Sequence, residues 1–142
     1  MRQKASLTAD DADTMMTAAR AEAVRNGWTV TIAIVDDGGY LLRLDRMDGT
    51  GPMAPDIALG KARMSAMTRR SSKFWEDRVE SRPGFLNFPF GLPIQGGVPI
   101  FHGTQCVGAI GVSGVGSAED EQVAAAGVAA MADQLSTSPA GG

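Results

Sequence analysis

The chain has 142 residues, 44% of them hydrophobic, and a formal net charge of -3 at neutral pH. This length predicts one domain, residues 1–142, with enough apolar side chains for a single core. The 13 basic residues are scattered and outnumbered by 16 acidic ones, which disfavours nucleic-acid binding. No run of about 18 apolar residues and no signal-peptide core is present, so we expect a cytoplasmic protein without a membrane partner.

The first part of the chain predicts a helix followed by a β-hairpin. Thr8 and Asp11 form a capping pair, and the helix ends at Asn26-Gly27. Its apolar stripe has spacings of four, three and four: Ala12, Met16, Ala19 and Ala23. Two strands rich in β-branched and apolar residues, 28–35 and 40–47, are then separated by two Asp and two Gly residues.

The centre of the chain predicts a helix and an aromatic loop. Pro55 suits the first turn of a helix from about Asp56 to Arg70, and small residues give that helix a face for close packing: Ala58, Ala62, Ser65 and Ala66. Ser72 is expected to cap a short aromatic helix, and residues 85–93 to form a loop packed by its own aromatics. We interpret the basic cluster of Arg69, Arg70 and Lys73 as the solvated end of a helix.

The last third predicts a second hairpin and a final helix. Residues 98–101 and 105–113 are the strands, with His102-Gly103 as a tight turn. Ser117 suits the N-cap of the last helix with Asp120 three residues on, and the apolar stripe is Ala124, Val128, Met131 and Leu135. Residues 136–142 are expected to fray. The result is an α+β fold with a core from about 7 to 135, an antiparallel sheet of two hairpins flanked by helices.

Few residues suit metal chemistry. Cys106 is the only cysteine, lies in an apolar strand and is expected to be buried without a disulfide. His102 is the only histidine and a candidate axial iron ligand, although its place before Gly103 also suits a turn. A zinc site needs several converging ligands, so no dedicated metal site is expected.

The best polar constellation consists of Arg46, Asp56 and Lys61. Asp56 and Lys61 are five residues apart, so on a helix they face different groups. If the aromatic loop folds over this region, the cavity is mostly apolar with a few cations, which suits a small organic acid or a tetrapyrrole bearing carboxylates. Ordinary solvated charges are the alternative interpretation.

Several segments together resemble the GlcG/HbpS-like family, which includes the C-terminal domain of PduO-type proteins. The resemblance extends over about residues 7–135 and is carried by Leu7-Thr8, Val35-Asp36-Asp37-Gly38-Gly39, Arg46-Met47-Asp48-Gly49, Asp56 to Ala62, Gly96 to Ile100, Val107 to Gly114 and Asp120-Glu121. It implies a profilin-like arrangement of α-β-α layers and homo-oligomers, from dimers to octamers. Some members bind haem, and others are associated with the catabolism of glycolate, diols or aromatic compounds. No axial-ligand motif of the family carries over to this chain.

Our leading interpretation is an oligomeric small-molecule-binding protein whose first candidate ligand is haem or another planar carboxylate-bearing molecule. Arg46 and Lys61 would neutralise carboxylates, Phe88 and Phe90 would pack on the ligand plane, and the backbone at Gly96-Gly97 would permit close approach. The alternative is an isomerase, tautomerase or dehalogenase of an aromatic or organic-acid catabolic pathway. In that case Lys61 or Arg46 would stabilise an enolate-like charge on an unsaturated acid, and Asp56 or Glu121 would move the proton. A third possibility is an accessory assembly subunit without a ligand.

Overall fold

The structure, a computed structural model, describes residues 1–132 in full and the helical backbone of residues 133–137. In chain order the elements are α1 (Ala9–Arg25), β1 (Thr31–Asp36), β2 (Leu41–Arg46), α2 (Ala54–Thr68), α3 (Ser72–Val79), a 3₁₀ turn (Pro83–Asn87), β3 (Gly97–His102), β4 (Gln105–Ser113) and α4 (Ser117–Thr137). The helix α4 runs through Ser136 and Thr137, which were expected to fray. The side chain of Leu135, from the predicted apolar stripe, and residues 138–142 of the predicted tail lie outside the described residues.

The four strands form one antiparallel sheet in the order β2-β1-β4-β3. Both predicted hairpins are present, and the central pair β1 and β4 joins them, with Ile32 opposite Val112 and Ile34 opposite Ile110. Helices α1 and α4 pack together on one face of the sheet, and α2 covers the other. The predicted α+β fold with α-β-α layers is therefore confirmed.

The two faces of the sheet are packed differently. Larger apolar side chains fill the space under α1 and α4, among them Met15, Ile32, Ile34, Ile110 and Val123. The face under α2 is lined by small residues such as Ala33, Ala58, Ala62 and Ala109. A Cβ atom on Gly111 would lie 2.1 Å from the Ala58 carbonyl oxygen, so α2 rests almost on the strand backbone. The small-residue face predicted for this helix is confirmed.

Several boundaries differ from the predicted ones for local reasons. Strand β1 begins at Thr31 because the Trp28 N–H still donates to the Ala23 carbonyl, at 2.9 Å, as the chain leaves α1. Helix α2 ends at Thr68 because Arg69 adopts a left-handed conformation, with φ 63°. Met15 is fully buried in α1, whereas Met16 of the predicted stripe is partly exposed.

Two predicted turn and cap assignments were wrong by one residue. The cap of α3 is Ser71, whose hydroxyl accepts the Phe74 N–H, and Ser72 is the first helical residue. His102 is the last residue of β3, paired with Gln105, so the turn is formed by Gly103 and Thr104. Gly103 has the positive φ, 62°, that such a tight turn requires.

The start of α4 also differs from its predicted capping arrangement. Ser117 is the first residue of the helix, and the Asp120 N–H donates to the Gly116 carbonyl at 2.8 Å. The Asp120 carboxylate is directed to Val115 and to Lys61. Among the described residues, no helix combines the length and apolar character needed to cross a membrane.

Candidate functional site

Lys61 lies on the face of α2 that packs against the sheet, and only 2% of it is exposed. Its ammonium donates to the Val112 carbonyl and to the Asp120 carboxylate, both at 3.0 Å. Asp120 is equally buried, and its second oxygen accepts the Val115 N–H at 3.1 Å. A buried charge is tolerated only when it is paired and hydrogen-bonded. The pair therefore ties α2 to the end of β4 and to the first turn of α4.

The Asp120 carboxyl titrates abnormally. Burial raises its pKa above the usual value of 3.8, because a charged carboxylate loses hydration inside the protein. The Lys61 ammonium and the Val115 N–H both favour the charged form and offset part of that effect. For Asp120, the free-energy cost of desolvating the charged carboxylate is thus larger than its stabilisation by the attraction to Lys61.

Gly96 and Gly97 lie directly against this lysine. A Cβ atom on Gly96 would come within 2.8 Å of the Lys61 ammonium, and one on Gly97 within 2.3 Å of the Lys61 carbonyl oxygen. The Gly97 N–H donates to the Ser72 hydroxyl at 2.8 Å, which fixes the start of β3 against α3. The close approach expected at these glycines is, in this structure, made by α2.

The outer side of α2 and the segment after Phe88 form an open cleft of about 440 Å³, which we call the Phe90 cleft. It is lined by Asp56, Leu59, Gly60, Arg63, Phe90 and Leu92, together with Gly91. The Leu92 N–H donates to the Gly60 carbonyl at 3.0 Å, and a Cβ atom on Gly60 would lie 2.6 Å from the Leu92 side chain. The segment therefore rests on the helix at a position that only glycine permits.

Arg63 is the cation of this cleft. Its guanidinium carbon lies 5.3 Å from the centre of the Phe90 ring, within the range of a cation–π contact. Its Nε is buried and has no hydrogen-bond partner among the described residues. A buried donor without an acceptor is costly, so an acceptor that reached this N–H would remove that cost. A smaller hollow of about 170 Å³ on the Met64 and Met67 side also borders Arg63.

The predicted residues do not gather at one place. Lys61 is buried beneath the sheet, whereas Asp56 is exposed on the rim of the Phe90 cleft. Arg46 is exposed at the end of β2, opposite Thr31, and does not line that cleft. Glu121 accepts a hydrogen bond from Gln95 at 2.7 Å. His102 is exposed at the far end of β3.

The two predicted phenylalanines have different surroundings. Phe88 packs into an aromatic cluster, with ring centres 5.0 Å from Trp75 and 5.4 Å from Phe85. Phe90 is 69% exposed and adopts a positive φ of 65°, so its ring faces the cleft. Of the pair, Phe90 alone offers its ring as a platform.

Sequence reasoning assigned no site role to Arg63 and did not pair Asp120 with Lys61, although the sequence carried a signal for both. Arg63 follows Lys61 by two residues, which is about 200° around a helix, so burial of Lys61 turns Arg63 outward. A lysine among the alanines of a sheet-facing helix surface needs a carboxylate, and Asp120 supplies it from 59 residues away.

The chain belongs to the HbpS-like family, whose model, described as "Haem degrading protein HbpS-like", matches residues 7–129. It is 42% identical over 114 residues to Protein GlcG of Escherichia coli K12, covering 80% of this chain and 85% of that protein. It is also 31% identical to an uncharacterized 15.0 kDa protein of the dhaT-dhaS intergenic region of Citrobacter freundii, covering 87% and 90% of the two chains. The resemblance noted in the sequence is confirmed.

Solved structures give the same result. A double mutant of HbpS from Streptomyces reticuli superposes with a TM-score of 0.86 at 33% identity, covering 91% of this chain and 89% of that one. A PduOC:heme complex superposes with a TM-score of 0.82 at 21% identity, covering 89% and 95%, which bears on the fold alone.

Proposed function

We propose that this chain binds a planar small molecule bearing a carboxylate, with haem as the first candidate, in the Phe90 cleft. The observation that carries the proposal is Arg63, which lines the cleft and whose guanidinium lies beside the exposed ring of Phe90. A carboxylate in the cleft would form a charge-assisted hydrogen bond with the Arg63 guanidinium. Phe90 and the apolar Leu59 and Leu92 would contact the ligand plane.

The residues of the cleft fit the ring and the carboxylates of haem. Apolar and aromatic side chains suit a flat macrocycle, and Arg63 suits a propionate. For the iron, the neighbouring hollow offers the thioether of Met67, which is 43% exposed, whereas His102 is at the end of β3. Bound haem would supply redox chemistry at its iron, and this chain would orient and shield the ring. The description of the family model and the haem complex of PduOC support haem as the ligand to test first.

Arg63 takes the role that we first gave to Lys61 and Arg46. The charge of Lys61 is already neutralised by Asp120, and Arg46 lies outside the cleft. Phe90 keeps its predicted role as a platform, and Phe88 supports the segment from below through the Trp75 cluster.

The test is an absorbance titration of the purified protein with hemin and, in parallel, with iron-free protoporphyrin. We expect saturable binding of both, and Arg63→Gln should weaken both by about tenfold or more through the loss of a charge-assisted hydrogen bond. Arg46→Gln removes an exposed arginine outside the cleft and is the matched control, with a change below about twofold. Unchanged binding in Arg63→Gln, or loss on His102→Ala, would place the site elsewhere and reject the proposal.

A second candidate function is catalysis on an unsaturated acid, favoured by the presence of Asp56 in the same cleft as Arg63. Arg63 would hold the substrate carboxylate or stabilise an enolate-like charge, and Asp56 would move the proton. Proton exchange in heavy water, followed by NMR with unsaturated mono- and dicarboxylic acids, tests this function. Exchange should be lost in Asp56→Asn and kept in Glu121→Gln, whose native carboxylate is bound to Gln95. Exchange that survives Asp56→Asn would contradict this assignment.

We also propose that the chain works as a cytoplasmic homo-oligomer, a dimer or a larger ring such as an octamer. Several large apolar side chains are exposed around β2, among them Tyr40, Leu41 and Leu44, which supports a contact between copies there. The mass of the purified protein in solution tests the assembly, and a monomer at micromolar concentration would reject it.

A further inference from the structure

A second cleft, of about 450 Å³, opens between α3 and the 3₁₀ turn that follows it. Three arginines and three aromatic residues line it: Arg70, Phe74, Trp75, Arg78, Arg82 and Phe85. It shares no lining residue with the Phe90 cleft. We call it the arginine cleft. The basic residues near the end of α2, which the sequence suggested were merely solvated, contribute Arg70 to it.

The arginine side chains are held in place by aromatic rings. The guanidinium carbon of Arg78 lies 3.4 Å from the centre of the Phe74 ring, and that of Arg70 lies 4.3 Å from the same centre. Arg82 lies over Phe85 at 4.9 Å. Arg78 also donates to the Phe74 carbonyl at 2.7 Å. Stacking fixes the plane of a guanidinium and leaves most of its N–H edge free, which lowers the entropy lost when an oxyanion binds.

These three charges have no acidic counterpart in the part of the chain that the structure describes. None of the three forms a salt bridge there, whereas Lys73 of the same helix is paired with Asp77 at 2.8 Å. Glu76 and Glu80 are each two residues from Arg78, about 200° around the helix, and so face away from the cleft. A chain of net charge -3 therefore concentrates three positive charges around one opening.

We propose that the arginine cleft binds a small polyanion whose charge is carried by phosphate or carboxylate groups. Guanidinium edges match such oxyanions in a bidentate manner. Trp75 and Phe85 would contact the body of the ligand, and their rings are fixed by a mutual edge contact at 5.1 Å. The Trp75 indole N–H is already bound to the Thr68 hydroxyl at 2.9 Å, so this ring is a rigid wall of the site. The proposal concerns a site separate from the Phe90 cleft and does not depend on it.

The experiment uses Trp75 as a built-in reporter. The chain has two tryptophans, so Trp28→Phe leaves Trp75 as the only one. This protein is titrated with pyrophosphate and with citrate at matched ionic strength, followed by fluorescence and calorimetry. We expect saturable binding of at least one of them at one per chain, and the preferred anion distinguishes a phosphate ligand from a polycarboxylate.

Single substitutions then test the individual charges. Arg82→Gln and Arg70→Gln should each weaken binding by about tenfold or more, as expected for the loss of one charge-assisted hydrogen bond. Lys73→Gln removes one positive charge from the same helix but outside the cleft, and binding should change by less than about twofold. Circular dichroism checks that each variant is folded. Absence of saturable binding of both anions, or an equal loss in Lys73→Gln, would overturn the proposal.

Discussion

The buried Lys61 is the residue on which the packing of α2 most depends. We predict that Lys61→Met lowers the free energy of unfolding by about 3 kcal/mol, because it leaves the Asp120 carboxylate buried without its counter-charge. Urea denaturation measures the loss. Lys73→Met is the control, since its pair with Asp77 is 44% and 52% exposed and should contribute less than about 1 kcal/mol. Equal losses of unfolding free energy in the two variants would show that the buried pair contributes no more to stability than the exposed one.

A loss of activity in a Lys61 variant would therefore not identify a catalytic lysine. The variant changes the packing of α2 and therefore the wall of the Phe90 cleft, so any effect on activity would be indirect. Arg63 faces the cleft from the opposite side of the same helix and is the better position for a functional test.

The titration of Asp120 predicts a dependence of stability on pH. Burial raises the pKa of this carboxyl in the folded state, so between 3.8 and the raised value the folded protein binds more protons than the unfolded chain. The contribution of Asp120 to stability is then greatest below pH 3.8 and is lost as pH rises through the raised pKa. We therefore expect the unfolding free energy of wild type to fall relative to that of Asp120→Asn as the pH rises. A shift in the opposite direction would mean that Lys61 outweighs burial.

At the scale of elements, the contact between α2 and β4 depends on residues without side chains. A Cβ atom on Gly111 would lie 2.1 Å from the Ala58 carbonyl oxygen and 2.5 Å from the Ala62 nitrogen. Gly111→Ala should therefore force the helix from the sheet and lower the unfolding free energy by about 3 kcal/mol. Gly51→Ala, at an open position before α2, is the control and should change it by less than about 0.5 kcal/mol. Thermal and urea unfolding of both variants compare them, and equal stability would contradict the close contact.

Patterns within single elements were sufficient to predict the helices and strands. The β-branched and apolar runs of β1 and β4, the small-residue face of α2 and the glycines of the hairpins are local signals, and each led to an element that is present. The family resemblance supplied the layer order. The features that the sequence did not predict are mostly tertiary contacts. They include the acid that pairs with Lys61 and the phenylalanine of the aromatic segment that is exposed. Periodicity says nothing about contacts between elements 59 residues apart.

The aromatic segment shows the same limit at the level of one element. Three phenylalanines within six residues predicted an ordered loop, and the packing of Phe85 and Phe88 around Trp75 explains why it is ordered. Their separate roles follow from the backbone. The left-handed conformation of Phe90 turns one ring out of the cluster and toward Arg63, which composition alone does not indicate.

In the whole molecule, the two layers of helices have separate tasks. Helices α1 and α4 cover the larger apolar core, whereas the layer of α2, α3 and the aromatic segment lines both clefts. The buried ion pair joins the two layers, because Lys61 belongs to α2 and Asp120 to α4. That second layer does not cover all of its face of the sheet. Leu41 and Leu44 of β2 lie opposite Val35 and Ala33, residues packed under α2, yet both leucines are exposed.

These exposed leucines lead to the last prediction, about assembly. A Cβ atom on Gly39 would lie 3.4 Å from the Met67 side chain, so the turn before β2 lies close to the end of α2. Met67, Leu41 and Leu44 are all exposed apolar residues. If copies of the chain associate there, Leu44→Asp combined with Leu41→Asp should reduce the assembly to monomers without unfolding it, because buried carboxylates would lack partners. Val24→Asp is the control, a 60% exposed apolar residue on α1 across the sheet. Sedimentation velocity measures the mass, and a double variant that keeps the wild-type mass would exclude this surface as the interface.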